Sequence, residues 1–300
     1  MTAEISLEDL RRDIDRIDDQ MHDLLMARAA IGDRIRAAKT GSAVNLRPGR
    51  EATILRRLVT RHRGPFPKPS LVRIWREVFA GLTRLQGPFS MAVLGHEPQR
   101  NLAELARDQY GSHTPMNVYP SARRVMEAVV RGDASVGVLP MPRQDDDDPW
   151  WPYLVSESAA TPRIVARLPF AGPVNLREGA QEALVISCLN PDSTGDDRTV
   201  LAMDMVEPVS IARLTPALEA VDLKPTFSAR WRNPQVDRSV LHMVEIGGYL
   251  VANDPRVLAA QEALGVHVNR SIVIGAYAVP LSPEALMPNG NASETARRAG

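Results

Sequence analysis

The sequence predicts a multidomain protein that combines an all-helical unit with two units of mixed α and β structure. Three patterns support this fold class: an apolar stripe at helical spacing over residues 6–39, alternating strand and helix patterns from residue 90, and a second strand-rich pattern from residue 183. We place the helical unit at residues 1–88, a small α/β lobe at 89–180, a ferredoxin-like unit at 181–282 and a disordered tail at 283–300.

The composition is that of an ordinary globular protein without a charge bias. The 300 residues contain 36 Lys plus Arg and 36 Asp plus Glu, so no overall field attracts nucleic acid or a membrane. The single cysteine, Cys188, excludes an internal disulfide framework and a cysteine-rich metal site. The sequence has neither a signal-peptide pattern nor an apolar run of about 20 residues. We therefore expect a cytoplasmic protein that binds neither nucleic acid nor a membrane.

The first predicted helix places its apolar residues on one stripe, at alternating steps of three and four. Arg28 lies on this stripe, where a charge is costly unless it meets an opposite charge. Lys39 returns to within about 20° of Arg28 and lies about 16 Å farther along the same helix face. The two long side chains can therefore converge on a small dianion. The apolar residues of the stripe are Leu10, Ile14, Ile17, Met21, Leu24, Ile31 and Ile35.

Arg11 lies about 25 Å from Arg28 along the same helix, which is too far for the two to share one site. If Arg11 binds ligand, the simplest arrangement places it in the site of a second subunit. The two shorter helices, predicted over residues 50–62 and 70–86, leave part of the long helix without a partner. We therefore expect a homodimer in which two long helices pair.

The middle of the chain alternates strand and helix patterns in the order βαβαβ, which predicts a small parallel sheet. After its third strand the sequence contains four consecutive acidic residues, Asp145 to Asp148, and then two prolines that flank a Trp-Trp pair. We interpret this segment as an exposed, solvated loop rather than a metal site. The predicted strands are residues 90–95, 116–119 and 135–139, and the predicted helices are 101–110 and 121–131.

The C-terminal unit opens with a strand at residues 184–188 and continues in the order βαββαβ, which is typical of a ferredoxin-like sandwich. The four strands of that order are predicted at residues 198–205, 223–231, 239–246 and 271–278, and the two helices at 211–221 and 255–264.

Several charged positions in the helical unit have a distinctive spacing: Arg11, Asp15, Asp18, Arg28, Lys39, the run Arg47-Pro48-Gly49-Arg50-Glu51, and Gln86. Over residues 5–87 this pattern resembles the all-helical type of chorismate mutase. The segment from Phe89 to Pro140, including the run from Val129 to Pro140, resembles the first lobe of prephenate dehydratase, and residues 183–282 resemble an ACT regulatory domain. The whole order resembles the bifunctional chorismate mutase–prephenate dehydratase family.

The resemblance implies conversion of chorismate to prephenate in aromatic amino-acid biosynthesis, an intramolecular rearrangement that needs no cofactor and no metal. Such an enzyme holds a dicarboxylate in a compact shape and stabilises charge on the breaking ether oxygen. By this resemblance Arg28 and the partner subunit's Arg11 hold the carboxylates, because guanidinium groups bind carboxylates bidentately. Lys39 and Gln86 donate to the ether oxygen.

The resemblance also gives roles to the start of the second helix. Glu51 accepts a hydrogen bond from the substrate hydroxyl, and Arg50 orients neighbouring groups or contacts a carboxylate. Arg47 is counted with the substrate-binding residues. Some relatives carry an acidic residue at its position, so Arg47 leaves Glu51 as the single hydroxyl acceptor.

The dehydratase-like part departs from its family at each of its motifs. The sequence is Gly95-His96-Glu97-Pro98-Gln99-Arg100 where the family has Gly-Pro-x-Gly-Thr, Pro142-Arg143-Gln144 where it has Glu-Asn-Ser, and Gln181-Glu182-Ala183 where it has Thr-Arg-Phe. The second lobe is nearly absent. We therefore expect no dehydratase chemistry here.

The ACT-like part is also altered, at residues 208–211 and 228–231, so feedback by an amino-acid effector stays an open question. The favoured hypothesis is a chorismate mutase whose C-terminal regions regulate or assemble it. The alternatives are a non-catalytic regulator on the same scaffold, a bifunctional mutase–dehydratase and, less favoured, an isochorismate–pyruvate lyase.

Overall fold

A computed structural model describes residues 6–38, 45–95, 102–144, 146–172, 182–206, 211–232 and 239–288. A three-helix region comes first, and a region built on one nine-stranded mixed sheet follows it, which we call the α/β region. No helix among the described residues is both long and apolar enough to cross a bilayer.

The three predicted helices of the N-terminal region are confirmed. Prolines stand in the first turns of the second and third helices, where a missing N–H and a fixed φ are tolerated. The first helix has no buried residue along its 32 residues, and its apolar stripe is exposed within the single chain. The helices are α1 (Leu7–Ala38), α2 (Pro48–Arg61) and α3 (Lys68–Gln86).

The core between α2 and α3 is completed by the α/β region. Leu55 of α2 and Phe79 of α3 pack in one cluster with Phe170 and Leu286, which come from much later in the chain. Leu286 belongs to a short helix, α8 (Pro283–Leu286), and is buried. The predicted disordered tail is therefore wrong for residues 283–288, because this apolar side chain has a core to enter; residues 289–300 lie outside the described residues.

The predicted βαβαβ unit is confirmed. Its three strands are parallel, with the first strand between the other two. The second helix of the unit starts at a Ser121 cap, whose side chain accepts from the Arg124 amide, and ends at Gly132, whose φ of 77° suits a glycine. The elements are β1 (Met91–Leu94), α4 (Leu102–Tyr110), β2 (Met116–Tyr119), α5 (Ala122–Arg131) and β3 (Val136–Pro140).

An antiparallel pair of strands extends this sheet, and one of the two was not predicted. β4 (Arg163–Leu168) pairs with β5 (Ala183–Ser187), and β5 also pairs with β3. The predicted unit boundary at residue 181 assigns β5 to the C-terminal unit, but its hydrogen bonds on both sides are to the lobe. Sequence pattern identified β5 as a strand and could not identify its neighbours.

The segment with the Trp-Trp pair is not the exposed loop that we expected. Trp150 and Trp151 are 5% and 0% exposed, and Trp151 begins a short 3₁₀ turn that ends at Leu154. Trp150 donates its indole N–H to the Pro140 carbonyl at 3.0 Å. The acidic part agrees better, since Asp147 and Asp148 are exposed. Burial of two large aromatic side chains lowers the free energy of the fold more than solvation of a loop of this length does.

The C-terminal strands confirm the predicted βαββαβ order. They form the antiparallel part of the same sheet, and the complete strand order is β2-β1-β3-β5-β4-β9-β6-β8-β7. One parallel bridge, Ile164 to Gly275, joins the two halves, and a side chain on Gly275 would collide with the Ile164 backbone at 2.3 Å. The elements are β6 (Asp197–Met205), α6 (Ile211–Glu219), β7 (Pro225–Arg232), β8 (Val240–Gly247), α7 (Pro255–Leu264) and β9 (Val268–Ala278).

Candidate active site

A buried ion pair lies between the second and third helices. Glu51 stands in the first turn of α2 and is 8% exposed, and Arg76 stands in the middle of α3 and is 4% exposed. The Arg76 Nη1 atom donates to Glu51 Oε2 at 2.9 Å. Within the described residues this is the only hydrogen bond that the Glu51 carboxylate receives, so Oε1 has no partner.

Burial dominates the electrostatics of this pair. It raises the pKa of Glu51 from 4.5 to about 7, because a carboxylate loses its hydration there, while the cations Arg76 and Arg28 oppose the shift. Burial likewise lowers the pKa of Arg76, and the negative charge of Glu51 opposes that shift. A buried carboxyl whose pKa lies near neutrality is a feature that active sites share.

Arg28 reaches the same place from the first helix. It is half-buried, and its guanidinium carbon lies 5.5 Å from the centre of the Phe79 ring, which holds it by a cation–π contact. Burial lowers the pKa of Arg28; the nearby Glu51 raises it and the nearby Arg50 lowers it. Arg28, Arg50 and Glu51 therefore form one cluster of interacting charges.

Gln86 lies at the end of α3 against α1. Its Nε2 atom is 3.5 Å from the point where a Cβ on Gly32 would lie, which places the amide against α1. Gln86 also accepts, through its backbone oxygen, a hydrogen bond from Asn45 Nδ2 at 2.8 Å. Arg28 of α1 contacts Phe79 of α3, and Gln86 of α3 lies near Gly32 of α1. Arg28 and Gly32 are about one helical turn apart on α1.

Two predicted residues, Arg11 and Arg47, do not join this cluster within one chain. Arg11 is exposed, and its nearest acidic partner is Glu8 at 3.8 Å on the same helix. Arg47 is exposed at the residue that precedes α2. Lys39 lies outside the described residues. The structure of the single chain therefore brings Arg28, Arg50 and Glu51 together and places Gln86 beside Gly32 of α1.

Comparison with known families agrees with this geometry. Residues 10–87 match the family model of chorismate mutase type II. The helical region is a chorismate mutase type II domain. We call it the mutase domain below.

Curated relatives of the chain carry the same kind of domain. A bifunctional chorismate mutase/prephenate dehydratase of Stutzerimonas stutzeri is 29% identical over 148 residues, which is 47% of this chain and 40% of the relative. The protein of the same name from Neisseria gonorrhoeae is 35% identical over 103 residues, which is 34% of this chain and 28% of the relative. The matched part of the chain thus spans less than half the length of either relative.

Among solved structures, a prephenate dehydratase from Streptococcus mutans is similar to this protein. The match covers 64% of this chain and 100% of the dehydratase chain. The TM-score is 0.46 and the sequence identity is 15%. A similarity at that level carries no conclusion about function.

The mutase domain contains one site residue that sequence reasoning missed, Arg76. The signal was present, because Arg76 falls on the buried stripe of α3 between Val72 and Phe79. A charge on an apolar stripe is the same observation that singled out Arg28. The site of the mutase domain therefore has the guanidinium groups of Arg76 and Arg28 acting on one carboxylate, which among the described residues accepts a single hydrogen bond, and Arg50 interacts electrostatically with Arg28. Such a set is suited to a small anion that also carries a hydroxyl group.

Proposed function

We propose that the protein is a chorismate mutase that rearranges chorismate to prephenate. The observation that supports this most is Glu51, a buried carboxylate with one oxygen that has no partner among the described residues. It interacts with Arg28 in a domain of the chorismate mutase type II family, and Arg28 also interacts with Arg50. The reaction needs no covalent catalyst. It needs a compact substrate conformation and electrostatic stabilisation of the charge that develops as the ether bond breaks.

In this mechanism each side chain binds a defined part of the substrate. Arg28 holds one substrate carboxylate and the partner subunit's Arg11 holds the other, each through a guanidinium fork. Lys39 and Gln86 donate to the ether oxygen, where negative charge grows. Glu51 accepts from the substrate hydroxyl through Oε1, since Arg76 already occupies Oε2.

The proposal includes a homodimer. The exposed stripe of α1 includes Leu24, which is 70% exposed, and Ile14, which is 57% exposed. An apolar stripe of this length is typical of a helix that packs on another helix, and a second α1 is the simplest partner. It also brings a second Arg11 toward the site that Arg28 occupies. Sedimentation of Leu24→Glu should show a monomer at concentrations where the unaltered protein is a dimer.

The activity is tested by following the loss of chorismate absorbance with purified full-length protein. We expect prephenate to accumulate, and we expect Arg28→Ala and Lys39→Ala each to lower kcat/KM by at least about 100-fold, the scale of removing one charge-stabilising donor. Arg123→Ala is the matched control, because Arg123 lies on α5 and its side chain is 77% exposed. Folded protein without turnover would favour the alternative of a non-catalytic regulator.

The names of the relatives favour a second candidate, a bifunctional mutase–dehydratase. Release of phenylpyruvate in the same assay would support it, and prephenate as the final product would exclude it. The ferredoxin-like βαββαβ unit is proposed to be an ACT-like regulatory or assembly domain. Titration with phenylalanine, monitored by kcat/KM and by thermal stability, tests whether it binds an amino-acid effector.

A further inference from the structure

Arg76 is held on a second side by a residue that does not belong to the mutase domain. Its guanidinium carbon lies 5.0 Å from the centre of the Phe170 ring. A guanidinium is weakly hydrated and planar, so it stacks on an aromatic face when it is buried. The Arg76 side chain therefore lies between Glu51 of α2 and Phe170 of the α/β region.

The position of Phe170 is fixed by the α/β region itself. Phe170 follows β4 closely, is 6% exposed, and accepts a backbone hydrogen bond from Leu281 at 2.7 Å. The next residue, Ala171, forms a parallel bridge with Leu281. Lys68, in the first turn of α3, donates to the Ala285 carbonyl at 3.1 Å, so the same C-terminal segment also contacts the mutase domain.

Two further contacts join α3 to the α/β region, one on each side of Arg76 in the sequence. Arg73 pairs with Asp108 at 3.2 Å, and Glu77 accepts from the Ser112 amide at 3.0 Å. These contacts flank Arg76 along α3. Tyr110 lies in the sequence between the two contacted residues, Asp108 and Ser112. It is 3% exposed, and its hydroxyl has no hydrogen-bond partner in the described part of the chain.

Tyr110 lies within electrostatic reach of the ion pair. Burial raises the pKa of Tyr110 far above its ordinary value; the charge of Glu51 raises it further, and the charge of Arg76 lowers it. Two aromatic residues of the α/β region, Phe170 and Tyr110, therefore stand near one buried pair of the mutase domain.

We propose that Arg76 is a positioning residue for Glu51 and that the α/β region, through Phe170, holds Arg76 in place. This inference rests on the proposed mutase activity. Arg76 binds Oε2, so Oε1, which has no partner among the described residues, is the oxygen available to the substrate. The α/β region is then part of the construction of the mutase site, and its loss of dehydratase motifs does not make it dispensable.

The test compares three variants of the full-length chain: Phe170→Leu, which removes the ring; Phe170→Tyr, which keeps it; and Phe66→Leu, a control on an exposed phenylalanine of the α2–α3 loop. Two quantities are measured, kcat/KM for chorismate and the pKa of the Glu51 carboxyl by ¹³C NMR, with the resonance assigned through Glu51→Gln. Urea unfolding confirms that each variant is folded under the assay conditions.

We expect Phe170→Leu to lower kcat/KM by about tenfold, since displacing a positioned group by a fraction of an ångström weakens catalysis on this scale. The pKa of Glu51 should rise in the same variant, because the Arg76 charge moves away from the carboxylate. Phe170→Tyr and Phe66→Leu should leave both quantities near those of the unaltered protein.

A folded Phe170→Leu protein with unchanged kcat/KM and an unchanged Glu51 pKa would overturn the inference. If the unaltered protein does not turn over chorismate, the proposed function fails. The NMR measurement then still decides the inference by itself, because an unchanged pKa refutes the positioning of Arg76 by Phe170 and a raised pKa supports it.

Discussion

Two buried glutamates in this protein have opposite surroundings. Glu245 of β8 is 4% exposed and Glu51 of α2 is 8% exposed. The Glu245 carboxylate accepts from the Tyr277 hydroxyl, from Thr226 Oγ1 at 2.6 Å and from Arg167 Nη1 at 3.5 Å, and Arg198 lies 4.0 Å away. Among the described residues, the Glu51 carboxylate accepts one hydrogen bond, from Arg76.

Under the proposed function, this difference distinguishes a glutamate that stabilises the fold, Glu245, from one that binds a ligand, Glu51. Glu245 is saturated and lies where Arg167 of β4 reaches across the narrow seam between the two halves of the sheet. Glu51 has one oxygen without a partner in the described part of the chain, and burial raises its pKa to about 7. A buried polar group without all its partners is costly, so it persists where something else completes it.

The largest expected effect is on stability, when Arg76 loses its charge. Arg76→Met should lower the free energy of unfolding by about 3–5 kcal/mol at pH 8, because the buried Glu51 loses its paired cation and must either stay ionised without it or take up a proton. The double variant Glu51→Leu/Arg76→Met should recover much of that loss, since no buried charge remains. Urea unfolding measures both; a double variant as unstable as the sum of the single ones would show that the two residues are not coupled.

On activity, the two glutamates should separate clearly. Glu51→Gln should lower kcat/KM for chorismate by about 100-fold, roughly 2.7 kcal/mol of transition-state stabilisation. Glu245→Gln should leave kcat/KM within about twofold once the folded fraction is accounted for, because Glu245 touches no group of the proposed site. Equal losses in the two variants would remove the distinction between them.

The pH dependence sharpens the same comparison. Because Glu51 acts as an acceptor when ionised and its pKa is about 7, kcat/KM should rise with pH up to about pH 7 and level above it. Glu51→Gln should lack this limb. The free energy of unfolding should change in the opposite direction with pH. The folded state holds the Glu51 proton more tightly than the unfolded chain does, so proton binding by Glu51 stabilises the fold. This stabilisation is complete below pH 4.5 and is lost as the pH rises through about 7.

The smallest expected effect concerns the two tyrosines beside these glutamates. Tyr277→Phe should lower the free energy of unfolding by about 1–2 kcal/mol, because its hydroxyl donates to the buried Glu245. Tyr110→Phe should be neutral or stabilising, since the Tyr110 hydroxyl has no partner among the described residues. Thermal or urea unfolding of the pair decides this, and a larger loss for Tyr110→Phe would contradict it.

Much of the architecture could be predicted from local sequence patterns. The apolar stripe of residues 10–35 predicted α1, and the alternation after residue 90 predicted the three parallel strands, because periods of 3.6 and 2 are properties of neighbouring residues. Arg28 was found in the same way, as a charge on an apolar face. The same rule, applied to α3, would also have found Arg76.

Pairing between distant segments could not be predicted in this way. β5 was recognised as a strand but assigned to the wrong neighbours, and β4 was not recognised. The Trp-Trp segment was predicted to be an exposed loop because four acidic residues precede it. Both tryptophan side chains are buried in the core.

The sequence by itself therefore determined the helices, most strands and the cationic set around residues 28 and 50. Only the tertiary structure decided that Glu51 faces Arg76 and that Arg76 faces Phe170. The reason is physical: a helix stripe shows that a charge is buried, whereas its partner depends on which distant segment folds against that stripe.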